Sequence, residues 1–140
     1  MKTLLILFVF ISIVGLASYK LVDFTLTEGY IFERDAEVGK KGASPHNGKG
    51  SSTGYSFFEN APGYPFAFRK RVLHAGATIG YHKQAEDEVY YIISGTGLMT
   101  INSEEMVVKA GDAILTRTGS SHGLAQRGED DLILIITYNK

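Results

Sequence analysis

The chain has 140 residues, 44% of them hydrophobic, which suffices for one domain with a single core. Its formal net charge is -1 and its only basic cluster is Arg69-Lys70-Arg71, so nothing marks a nucleic-acid partner. With zero cysteines, a disulfide framework is excluded and the fold must rest on its core.

In chain order, Lys2 precedes an apolar run from Leu4 to Leu16, followed by the small residues Ala17 and Ser18 and then Lys20. A positive start, a short apolar centre and a small-residue exit predict a signal peptide over residues 1–18, cleaved after Ala17 or Ser18. The run falls short of the roughly 20 apolar residues that span a bilayer. The expected location is therefore secreted or periplasmic. The alternative is a membrane anchor over residues 3–19, the chain's one route to a membrane. Residues 19–65 read as a loop-rich N-terminal arm with short strands. Leu21 to Thr25 alternates, Gly42 to Pro45 and Asn47 to Gly50 are turn signals, and Tyr55 to Phe58 is a short strand.

From 66 to 140 the pattern changes to short strands separated by turns. The expected strands are Phe66 to His74, Thr78 to His82, Glu88 to Ser94, Leu98 to Ile101, Met106 to Lys109, Ala113 to Thr116, Ser121 to Ala125 and Leu132 to Tyr138. The last is apolar on both faces and belongs deep in a sheet. No segment after the signal holds a helical period. The expected class is all-β, a small jelly-roll barrel.

Two glycine-bounded blocks carry the candidate chemistry. The first begins at Gly76, places His82, Gln84 and Glu88, and ends at Gly95; the second begins at Gly111 and places Arg117, Gly119, His122 and Gln126. This spacing resembles the two signature motifs of the cupin superfamily, whose fold is a double-stranded β-helix. Gln84 stands where the family has its second His, Arg117 where it has Pro, and Gln126 where it has Asn.

The resemblance implies that His82, Gln84, Glu88 and His122 converge inside the barrel as ligands of a divalent transition metal. Two imidazoles and a carboxylate suit iron, manganese, nickel or zinc. Gln84 would either coordinate through its amide oxygen or withdraw and leave open positions. The alternative is a barrel that has lost its metal and binds an organic ligand. Tyr90 shares the parity of Glu88 on one strand and is the expected proton donor. Tyr81 and Tyr91 are further phenols near the blocks. His74 reads as structural, and His46 as a loop histidine that would otherwise cover the barrel mouth.

Arg69 and Arg71 share a strand face. If it faces inward they would bind a carboxylate or phosphate, whereas Phe66, Phe68 and Val72 compete for the core from the other face. Gly119 to Gly123 imitates a hydrolase nucleophile elbow, but no strand-to-helix turn and no later histidine support it.

The expected function is an exported, metal-dependent enzyme on a small oxygenated substrate, an oxidoreductase of dioxygenase type ahead of an isomerase or decarboxylase. The alternatives are a carbohydrate- or small-molecule-binding barrel without turnover and a metal-stabilised structural dimer. Small cupins commonly form homodimers with exchanged N-terminal strands, which implies a partner barrel for residues 21–60.

Overall fold

The computed structural model describes residues 29–140; the expected signal peptide and the strand at Leu21 to Thr25 lie outside the described residues. Ile31–Lys140 form one compact unit. After a single helical turn, α1 (Asp35–Val38), come ten strands: β1 (Gly39–Ala43), β2 (Ser51–Phe57), β3 (Phe66–Leu73), β4 (Thr78–Lys83), β5 (Glu88–Ser94), β6 (Thr96–Ile101), β7 (Glu104–Lys109), β8 (Ala113–Thr116), β9 (Ser121–Arg127) and β10 (Leu132–Asn139).

The strands make two sheets, one ordered β1-β2-β3-β10-β5-β8 and the other β4-β9-β6-β7, with antiparallel pairing throughout. The core lies between them. Leu73, Ile92, Leu132 and Leu134 face it from the larger sheet, and Ile79, Met99, Val108 and Leu124 from the smaller. As its sequence predicts, β10 is central, flanked by β3 and β5.

All eight strands expected after residue 65 are present. The segment read as loop contains β1 and most of β2. Gly39-Lys-Lys-Gly carries no apolar alternation, and every residue of β1 is exposed. Backbone pairing with β2 holds it as an edge strand, and side-chain pattern does not report that. β2 in turn pairs with β3 of the same chain, so the described part of the arm extends the larger sheet.

The Asn47 to Gly50 turn is docked against β4 by hydrogen bonds from Gly80 N to Pro45 O (3.1 Å), Thr78 N to Lys49 O (2.9 Å) and Lys49 N to Thr78 Oγ1 (2.8 Å). The approach requires glycine on both sides. A Cβ at Gly48 would lie 1.8 Å from Thr78 O, and one at Gly80 1.9 Å from His46 O.

Candidate metal centre

Strand alternation starting from buried Ile79 would turn His82 outward. The β4–β9 register shifts between Ile79 and His82, and this irregularity sets His82 directly opposite His122. Tyr81 is consequently turned out and exposed. Glu88 opens β5 on the facing sheet. One nitrogen of each histidine and one Glu88 oxygen lie within 4.8 Å of one another.

The His82 ring is oriented by its neighbour. Nδ1 lies 2.8 Å from the carbonyl oxygen of Gly80, which only accepts, so Nδ1 donates and Nε2 carries the free lone pair. His122 is fully buried, and its Nε2 shares a 2.8 Å hydrogen bond with the Tyr90 hydroxyl. Glu88 Oε2 is 3.2 Å from the same nitrogen, yet it has no hydrogen bond; it and His122 Nδ1 are both buried without partners. A buried carboxylate oxygen left so is costly, and a cation beside it removes the cost. The donor set and the orphaned oxygen therefore fit a divalent metal.

Gln84 lies just beyond β4, buried, with its backbone tied to Ser120 and Gly119 across the turn before β9. It borders a cavity of about 180 Å³ together with Glu88 and Tyr90. Tyr90 is 2% exposed, and burial pushes its phenol well above the ordinary value, with the charge of Glu88 adding to the effect. It therefore stays a neutral O–H, able to donate. Tyr91 is exposed on the outer face.

The arginine face of β3 is the inward one. Ala67 and Leu73 are buried on that face; on the other, Phe66 and Phe68 are exposed, and Val72 is buried but lies outside the core cluster. Arg69 and Arg71 consequently border the same cavity. Across β10, Arg69 is in register with Ile136 and through it with Tyr90, while Ala67 is in register with Tyr138 and through it with Glu88. Tyr138, unnoticed in the sequence, thus stands beside Glu88 in the cavity wall; its parity with buried Leu134 and Ile136 was the signal.

His46 is the other residue the sequence undervalued. Both it and Asn47 have positive φ, 54° and 57°, which turns the His46 ring onto His82 with centroids 3.4 Å apart and planes 3° from parallel. Burial holds this imidazole below its ordinary value and the His82 ring adds to that, so it stacks as a neutral ring.

The remaining motif positions have structural roles. Gln126 accepts from Gly76 N (2.8 Å) and donates to the carbonyls of Arg127, Gly128 and Asp130. Arg117 pairs with Asp87 at 2.9 Å on the rim. His74 bridges Thr53 and Asp131.

A two-sheet barrel with an inward His-His-Glu cluster defines the class: a jelly-roll barrel with a candidate metal site. Residues 70–138 match the model of the cupin domain, Cupin_2. The crystal structure of a predicted oxalate decarboxylase from Thermotoga maritima covers 78% of this chain and 98% of its own, with 27% identity and a TM-score of 0.69. The polyketide cyclase RemF from Streptomyces resistomycificus, 15% identical with a TM-score of 0.67 over 79% of this chain and 80% of its own, shares the fold. In sequence, the oxalate-binding protein of Thermotoga maritima is 38% identical over 66 residues, which are 46% of this chain. The chain spans about half the length of the curated relatives it matches, 54% for that protein. These findings support the cupin superfamily.

Proposed function

We propose that this chain is a metal-dependent enzyme acting on a small organic acid, in which His82, Glu88 and His122 would hold a divalent transition metal and Gln84 borders the adjoining cavity. The observation that carries this reading is the cluster of half-buried His82, buried His122 and a buried, unpartnered Glu88 oxygen beside a small cavity. When bound, the ion supplies a Lewis acid that polarises a substrate oxygen. The chain's own residues hold and orient. Gly80 fixes the His82 tautomer, Tyr90 offers a neutral hydroxyl beside His122, and the docked His46 loop borders the cavity. Relatives named for oxalate support the substrate class, and oxidoreductase or decarboxylase chemistry are the two reactions to assay. Export through residues 1–18 belongs to the same proposal.

Elemental analysis of the purified protein tests the metal. We expect about one equivalent of iron, manganese, nickel or zinc in the wild type and none in His122→Ala. A wild-type protein that stays metal-free after reconstitution would refute the reading. A second reading, binding without turnover, is favoured by the name of the oxalate-binding relative. Metal-loaded protein that binds oxalate and leaves it unchanged would select it.

A further inference from the structure

Arg69 and Arg71, on the inner face of β3, both border the cavity, and among the described residues neither forms an ion pair. Arg71 is seated by a missing side chain. It stands in register with Gly54 of β2, where a Cβ would lie 2.7 Å from Arg71 Nη1. Nη1 reaches Ser52 Oγ at 3.3 Å, while the Arg71 Nε is buried with no partner. Arg71 also borders a second cleft beside Glu33, Glu37 and Glu59, but forms an ion pair with none of them. Arg69 lies over the Tyr138 ring, 5.4 Å from its centroid.

Burial, and then the like charge of Arg69, lowers Arg71 from its ordinary value; a guanidinium stays charged through such a shift. Two arginines without ion-pair partners bordering one small cavity fit an anion. Counting only the groups that border this cavity, a divalent ion held at Glu88 and the two arginines would exceed the carboxylates of Glu86 and Glu88 by two charges. A dianion answers that excess. Arg69 sits two strands from Tyr90, roughly 10 Å at ordinary strand spacing. A small ligand and a long arginine side chain bridge that gap together.

We propose that Arg69 and Arg71 form an anion-binding arm of this cavity, and that the ligand it selects is a small dicarboxylate. One carboxylate is taken by the guanidinium groups through paired N–H donors, and the other faces the metal cluster. This rests on the functional reading above for the metal but adds residues and a charge requirement that the metal does not impose.

Calorimetric titration of oxalate into the metal-loaded full chain tests it, with metal content measured in every variant. Arg69→Gln and Arg71→Gln should each weaken oxalate binding on the order of 10- to 100-fold while metal content stays at the wild-type level. Gly54→Ala should weaken it in the same direction by displacing the Arg71 guanidinium without removing a charge. If Arg71→Gln fails to fold, as judged by circular dichroism, Arg69→Gln and Gly54→Ala carry the test. Acetate should bind more weakly than oxalate.

Full metal loading with wild-type oxalate affinity in the arginine variants overturns the arm and leaves the metal reading standing. Absent metal with arginine-dependent oxalate binding does the reverse. Absent metal and absent oxalate binding overturn both. Tighter arginine-dependent binding of inorganic phosphate than of oxalate overturns the dicarboxylate class.

Discussion

Replacing Gln84 by His would exchange a neutral amide oxygen for an imidazole nitrogen at a buried position on the cavity wall. We predict slower metal loss to a chelator in Gln84→His, followed by elemental analysis over time. Unchanged loss would mean that the amide never touches the ion. Asp87, one residue before Glu88, gives a pH prediction of opposite character. Its carboxyl is held below the usual carboxylate range first by the Thr118 backbone N–H at 2.8 Å, then by the Thr118 hydroxyl at 3.0 Å, with Arg117 adding to both. A depressed folded value means stability that is present above the unfolded pKa and lost as pH falls through the folded one. Melting temperatures of the wild type and Asp87→Asn should therefore differ near neutrality and converge in acid. A gap that persists at every pH would remove Asp87 from the account.

The turns that hold the strands of the site in place are tied by single side chains and single close approaches. Gln126 fastens the start of β4 to the β9–β10 turn with one accepted hydrogen bond and two N–H donors shared among three carbonyls. Gln126→Ala leaves the Gly76 N–H without its partner and should cost about 2 kcal/mol, read as a lower denaturant midpoint at unchanged slope. This explains why an amide occupies the position where the family pattern has Asn. On β4, Gly80→Ala cannot be accommodated while the His46 loop stays docked. Hydrogen exchange at the Thr78 and Gly80 amides should accelerate in that variant, because both donate to the loop's carbonyls. The loop was readable only as turn chemistry, since His46, Asn47 and Gly50 are all positive-φ positions and nothing in that signal says what the turn will cover.

In the molecule as a whole, an ion that binds only the folded barrel stabilises it by mass action, about 2.7 kcal/mol at a hundredfold excess over Kd. Chelation should lower the melting temperature on the order of 10 °C, measured by calorimetry. The outer face of the larger sheet carries Phe66, Phe68, Tyr91, Ile93 and Leu115, each more than a third exposed. Such a surface fits a second copy of the chain, and we predict a dimer in sedimentation that Phe68→Glu shifts towards monomer.

How much of this was legible along the chain follows from what is local. Strand alternation, glycine turns and the spacing of His82, Gln84, Glu88 and His122 are short-range patterns, so the eight barrel strands and the candidate ligands could be read directly. Three things were not local. A strand has two faces, and β3 offered Phe66, Phe68 and Val72 on one against Ala67 and Leu73 on the other. Only closure of the barrel chose the smaller set, leaving room inside for Arg69 and Arg71. The register shift that turns His82 to meet His122 depends on pairing with β9, some forty positions away in the chain. The stacking of His46 on His82 likewise requires a loop from the arm to dock on a later strand. Residue type and spacing carry the inventory of the site, while inside and outside are properties of packing between the two sheets.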